Sequence, residues 1–138
     1  MLPKRILVGY DGSKVSDRAL DWAADLAKAS GAKVVVQHVV SIAPEALATG
    51  AVDVDVIEKA ISKMLEDAVE RVRPTGVAAT KVLSRGDIAS SILREAEQRG
   101  AELIVVGSLG RGRMARILMG SVADKLVRTA SVPVLVVR

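Results

Sequence analysis

The sequence predicts a three-layer α/β fold, an open twisted sheet of five parallel strands with helices on both faces. Short apolar runs alternate with amphipathic stripes in the order β-α-β-α-β-α-β-α-β, and right-handed crossovers in that order lay each helix against a parallel sheet. The runs are nearly continuous in apolar residues, as strands covered on both faces must be. Composition agrees with layers of this kind. Half of the 138 residues are hydrophobic, yet there is no Phe and only one Trp and one Tyr, so the core is built from Val, Ile, Leu, Ala and Met. Taken as one domain, residues 1–138, a chain of this length buries roughly two-thirds of its unfolded surface.

Residues 4–10 (KRILVGY) form the first strand. Val15, Ala19, Trp22, Ala23, Leu26 and Ala27 then share one helical face until Gly31 stops the helix. Residues 33–40 (KVVVQHVV) read as a buried second strand. A second helical stripe follows in Ile57, Ala60, Ile61, Met64, Ala68 and Val72, closed by Pro74 and Gly76. Residues 77–84 give the third strand, and Asp87 caps a helix carrying Ile88, Ile92, Leu93 and Ala96 that ends at Gly100. The fourth strand spans 102–106, the fourth helix 121–130 and the fifth strand 132–137. Between the second strand and its helix, residues 41–56 (SIAPEALATGAVDVDV) are small and irregular. They exceed the usual length of an unstructured connection and read equally as a lid or as disorder.

Several function classes are excluded at this level. The apolar runs are strand-sized, short of the ~20 residues that cross a bilayer, so no membrane association is expected. The N-terminus lacks the apolar core of a signal peptide, and without cysteine there is no disulfide argument for export; a cytoplasmic location is expected. The net charge of +4 is spread along the chain, with almost no aromatic residues on which bases could stack, so no nucleic-acid role is expected.

Residues 107–121 (GSLGRGRMARILMGS) carry the functional signal. A strand delivers the chain to a glycine-rich loop that ends at a helix start, where exposed N–H groups and the helix dipole favour anions. No acidic residue lies between Glu102 and Asp124, whereas Arg111, Arg113 and Arg116 are basic. Glycines also shape turns in any βα connection, but this connection is longer than the roughly 2 to 6 residues usual for one. It matches neither the G-x-x-x-x-G-K-[ST] loop nor the G-x-G-x-x-G fingerprint. Ser121 can cap its own helix or donate to a phosphate. With strand order 3-2-1-4-5, the loop meets Gly9-Tyr10-Asp11-Gly12-Ser13 where the order reverses, the place where such sheets bind ligands. There, Asp11 can accept from ribose hydroxyls or hold a metal-bound water, or it can simply shape the turn with Gly12.

Gly107, two residues, Gly110, nine residues and Gly120-Ser121 give the spacing G-x2-G-x9-G-[ST]. With RILVGYDGS, the helix segment Ala19-Leu20-Asp21-Trp22-Ala23, HVV at 38–40, ELIVVGSLGRG and the closing GSVADKLVRTASVPVLVV, the chain resembles the ATP-binding branch of the universal stress protein family along essentially its whole length. The resemblance implies the adenine nucleotide alpha hydrolase-like form of the fold, with ATP as ligand and Mg or Mn accompanying it at Asp11. It places Gly9, Tyr10, Asp11 and Val39 against adenine and ribose. Gly107, Gly110, Arg111, Gly112, Arg113, Gly120, Ser121 and Val122 would wrap ribose and phosphates, the family pattern varying at the positions of Arg111 and Arg113. It also implies a homodimer through the fifth strand, Val132 to Val137, which is otherwise an apolar edge or one shielded by its own helix; Pro133 limits that pairing. The role implied is nucleotide-dependent stress regulation through a protein partner. The rival reading is a slow Mg-dependent ATPase or nucleotidyl-transfer enzyme using Asp11. His38 reads as a packed or edge residue rather than a catalytic base, and no nucleophile–base trio is visible, so a dedicated enzyme is not expected.

Overall fold

The computed structural model describes residues 1–109 and 119–138. In chain order the elements are β1 (Arg5–Gly9), α1 (Lys14–Ser30), β2 (Lys33–Val40), α2 (Pro44–Ala48), α3 (Val54–Val72) with a 3-10 turn at Arg73–Thr75, β3 (Ala79–Arg85), α4 (Ile88–Arg99), β4 (Leu103–Gly107), α5 (Ser121–Thr129) and β5 (Val134–Val137). The strands form one sheet in the order β3-β2-β1-β4-β5. All its ladders are parallel, with Gly9 opposite Gln37 on one side and Val106 on the other.

Helices α1, α3 and α4 open where a side chain satisfies their first N–H groups. The Ser13 hydroxyl accepts from the Ser16 N–H at 3.2 Å to open α1, and Gly31 closes it at φ 76°, a left-handed conformation that favours glycine. Asp53 accepts from the N–H groups of Asp55 and Val56 to open α3, and Asp87 accepts from Ser90 at 2.9 Å to open α4. The α5 helix differs: its N-cap is Gly120, which has no side chain to offer.

Hydrogen bonds from Ser90, helped by Lys125, hold the Asp87 carboxyl at about 2, below its ordinary 3.8. A depressed carboxyl stabilises the fold above its unfolded value and loses that contribution as pH falls through the folded one. The stability difference between the wild type and Asp87→Ala should therefore be full above pH 4 and shrink toward pH 2. Paired acid titrations followed by circular dichroism check this; a difference that stays constant over that range would refute it.

Both sheet faces are covered. Ile6, Val8, Val34, Val36 and Val105 pack with α1 and α3, around Leu20, Ala23, Leu65 and Val69. Leu7, Val35, Val39, Ile104 and Val106 pack with α4 and α5, around Ile92, Ala123 and Leu126. Arg71 is bonded to Asp21 from α3 to α1, and Lys81 pairs with Glu66 and Arg85 with Glu58 from β3 to α3. The two lysine and arginine side chains on β3 also discourage strand addition at that edge.

Four expectations need correction. Trp22 is 55% exposed; the buried stripe of α1 is instead Ser16, Ala19, Leu20, Ala23, Ala24 and Ala27, whose small side chains let the helix lie close to the sheet. The segment 41–56 is not one irregular connection, because α2 and the capped start of α3 fall within it, although α2 buries none of its residues. The third strand lies two residues later at its start, at Ala79, and runs to Arg85, opposite Val40 of β2. The fifth begins at Val134 rather than Val132. Pro133 has no N–H to donate, although its carbonyl accepts from the Ile104 N–H at 3.0 Å.

Candidate functional site

At the carboxyl ends of β1 and β4 the neighbouring strands connect in opposite directions, and a crevice opens between their loops. A cavity of about 480 Å³ lies there, within the ~300–1,000 Å³ range of small-molecule sites. Its lining includes Gly9, Tyr10 and Asp11 after β1, Gln37, His38 and Val39 on β2, Gly107, Ser108 and Leu109 at β4, and Gly120, Ser121, Val122 and Ala123 at α5. Ile61 and Met64 of α3 and Ile88 and Ile92 of α4 supply apolar walls. Eight of the residues expected at the site are thus gathered around one space. Gly110, Arg111, Gly112 and Arg113 lie outside the described residues.

The β1 loop is fixed by its own backbone. The Tyr10 N–H donates to the Gln37 carbonyl at 2.8 Å, and the Tyr10 carbonyl bonds His38 Nδ1 at 2.8 Å. A carbonyl only accepts, so Nδ1 carries the proton in this bond. His38 therefore clasps β2 to the loop. The Tyr10 hydroxyl donates to Asp17 Oδ1 at 2.7 Å; burial, and then Asp17, push the phenol far above its ordinary range. Tyr10 faces the cavity with its hydroxyl committed to α1. Asp11 Oδ1 accepts from the Ser13 N–H at 2.9 Å, so the turn-forming role is present in a residue that also lines the cavity.

The opposite lip is the start of α5. Gly120 donates its N–H to the Ser108 carbonyl at 2.6 Å and accepts from the Asp124 N–H at 2.9 Å. The N–H groups of Ser121, Val122 and Ala123 precede that first intrahelical bond and have no partner four residues back within the helix. Ser121 stands at the first helical position, not the cap, and lines the cavity.

Two glycines are set by packing as much as by any ligand. A Cβ at Gly9 would sit 3.0 Å from Val106 Cγ1 and 3.1 Å from Ile92 Cδ1, and one at Gly107 only 2.6 Å from Val15 Cγ1.

Gln37, Ser108, Ile61 and Met64 were not anticipated as site residues. Their signal is positional: Gln37 follows three valines in the second strand, and Ile61 and Met64 share the helical face read as core. Among the described residues no group of three or more His, Cys, Asp or Glu side chains is placed to hold a metal. None of their helices is long and apolar enough to cross a membrane.

Comparison with known proteins gives the same picture from a separate direction. Residues 3–138 match the model of the universal stress protein family. The universal stress protein YxiE of Bacillus subtilis is 35% identical over 145 residues, covering 97% of this chain and 98% of the relative. Among solved structures, a universal stress protein from Archaeoglobus fulgidus in complex with dAMP superposes with a TM-score of 0.76 at 26% identity, all of both chains being covered. A universal stress protein in complex with cAMP also gives 0.76, at 28% identity over 100% of this chain and 98% of that one. A sheet with this strand order, a crevice at its switch point and a match along nearly every residue together place the chain in the universal stress protein family.

Proposed function

We propose that this chain binds an adenine nucleotide, ATP in the cell, in the crevice between β1 and β4, and that nucleotide occupancy governs its association with a regulatory protein partner. The observation that carries the reading is the α5 start: first-turn residues with a glycine cap line a cavity that also has Val39, Ile61, Met64, Ile88 and Ile92 in its wall. Anions bind at such helix starts, and an apolar crevice takes a flat base. The two related structures holding dAMP and cAMP support the same ligand class. Gly107, Gly110, Arg111, Gly112, Arg113, Gly120, Ser121 and Val122 would hold ribose and phosphates, and Gly9, Tyr10, Asp11 and Val39 adenine and ribose. Asp11 offers a carboxylate for Mg or Mn, ions that commonly take one or two carboxylates and otherwise phosphate and water. No base for water activation is required by this role. We place it in the cytoplasm, as a homodimer joined along residues 132–137, since β5 ends the sheet and is apolar in all four residues.

Gly120→Val tests the site. Gly120 has φ −72° and ψ 165°, extended backbone that valine adopts readily, so the variant should fold while a branched side chain crowds the cavity lip. Titration with ATP should show affinity reduced at least about tenfold, the equivalent of ~1.4 kcal/mol. Unchanged affinity in a folded variant would overturn the reading.

A further inference from the structure

Trp22 is the largest of the exposed apolar side chains among the described residues, and an indole left in water in mid-helix calls for a reason that the single chain does not give. Its place on α1 narrows the choice. Neighbouring residues stand about 100° apart round a helix, and Asp21, beside it, is bonded to Arg71 of α3. With the sheet-facing stripe of α1 behind both residues, Trp22 lies on the flank turned away from α3, toward β5. One turn earlier, Arg18 Nε donates at 2.8 Å to the carbonyl of Arg138, just past the end of β5. One turn later, Leu26 packs on the same core cluster as Leu135 of β5. A hollow of about 320 Å³ runs along this side of the helix, lined by Arg18, Asp21, Trp22, Asp25 and Leu26.

The sheet ends beside this flank. β5 has one neighbouring strand and only apolar residues, whereas the opposite edge strand, β3, carries Lys81 and Arg85. An edge without such charges is a template for another strand, and a strand meets its own copy across a two-fold axis. With that axis perpendicular to the sheet the two β5 strands run antiparallel, and both α1 helices stay on one face, antiparallel as well. Each α1 stands over its own β4, where Val15 closes on Gly107. The two β4 strands would lie three strand spacings apart, roughly 14 Å, wider than the ~8–10 Å at which helices pack. Small side chains would leave a channel between the helices, and an indole from each fills it. The same symmetry brings Arg18 of one copy toward Asp25 of the other, cation to carboxylate on either side of the paired tryptophans. Resting on the strand-joined homodimer proposed above, we infer that the outer flank of α1 is a second interface between the two copies, anchored by Trp22. Buried tryptophans of this kind carry a large share of the energy of an interface.

Trp22 is the only tryptophan of the chain, so its fluorescence reports its own surroundings. The experiment follows the full chain by sedimentation velocity and by tryptophan emission over one dilution series, carried down until the dimer dissociates. Emission should shift to the red as the mass falls from two chains to one, with the same midpoint in both signals. Trp22→Ala should raise the dimer dissociation constant at least about tenfold with the circular dichroism of the monomer unchanged, since the residue is exposed there. A dimer that dissociates with no change in Trp22 emission overturns the inference and leaves the strand-joined dimer standing, as does a Trp22→Ala dimer within about twofold of the wild type. A wild type that sediments as one chain at every concentration overturns the dimer reading itself, and this inference with it. The wild-type series decides the matter even where the variant does not fold.

Discussion

Replacing Gly107 with alanine is expected to destabilise the protein by about 1–3 kcal/mol, measured by chemical denaturation. The added Cβ would stand 2.6 Å from Val15 Cγ1 and 3.3 Å from the Val15 carbonyl carbon. Val15 lies in the first turn of α1, where a β-branched side chain has essentially one rotamer, so it cannot swing aside. The helix must instead retreat from β4 at the end from which the crevice opens. Adding Val15→Ala should recover part of the loss, giving a favourable coupling in the double-variant cycle. A variant as stable as the wild type, or a cycle with no coupling, would show that this contact is not what demands the glycine. The first glycine of the G-x2-G-x9-G-S spacing is on this account required by the fold before any ligand arrives.

Leu126→Ala should cost more, about 2–5 kcal/mol by the same measurement. Leu126 is fully buried, and α5 has only nine residues, of which Ala123 and Leu126 alone are buried. Little else anchors the helix to Leu7 and Ile104 beneath it. On the proposed function the variant should also bind nucleotide more weakly, because the amides at the cavity lip ride on the same helix. Val127→Ala is the matched control: at 49% exposure it should change stability by no more than about 0.5 kcal/mol. A loss below about 1 kcal/mol in Leu126→Ala would mean that α5 is held by something other than its buried leucine.

The sheet was legible because its strands are apolar on both faces and are separated by glycine-terminated helices; Gly31, Asp87 and Gly100 are all found at the boundaries they announce. Periodicity was less informative about Trp22, since a helical repeat identifies a stripe but not which of its margins meets the sheet. The α2 helix left no apolar stripe to read because it buries nothing. At the crevice, the glycines, Asp11 and Ser121 stood out through spacing and chemistry. Ile61, Met64, Ile88 and Ile92 did not, because an apolar side chain lining a cavity has the same pattern in sequence as one filling a core. Gln37 was not singled out, because it lies beside His38 in a run read simply as a buried strand and the groups its amide meets belong to β3 and α4.

The missing side chain at the start of α5 has a thermodynamic consequence under the proposed function. Three other helices close their first turns with residues of their own, Ser13, Asp53 and Asp87, so those caps do not depend on a ligand. At Gly120 the closing group arrives from solution, and a ligand that binds only the folded form adds RT ln(1 + [L]/Kd), ~2.7 kcal/mol at a hundredfold excess over Kd. Resistance to unfolding, and with it to proteolysis through the open state, then rises and falls with the nucleotide supply. The quantity that reports the cell's energy state would be the lifetime of the protein as much as its shape.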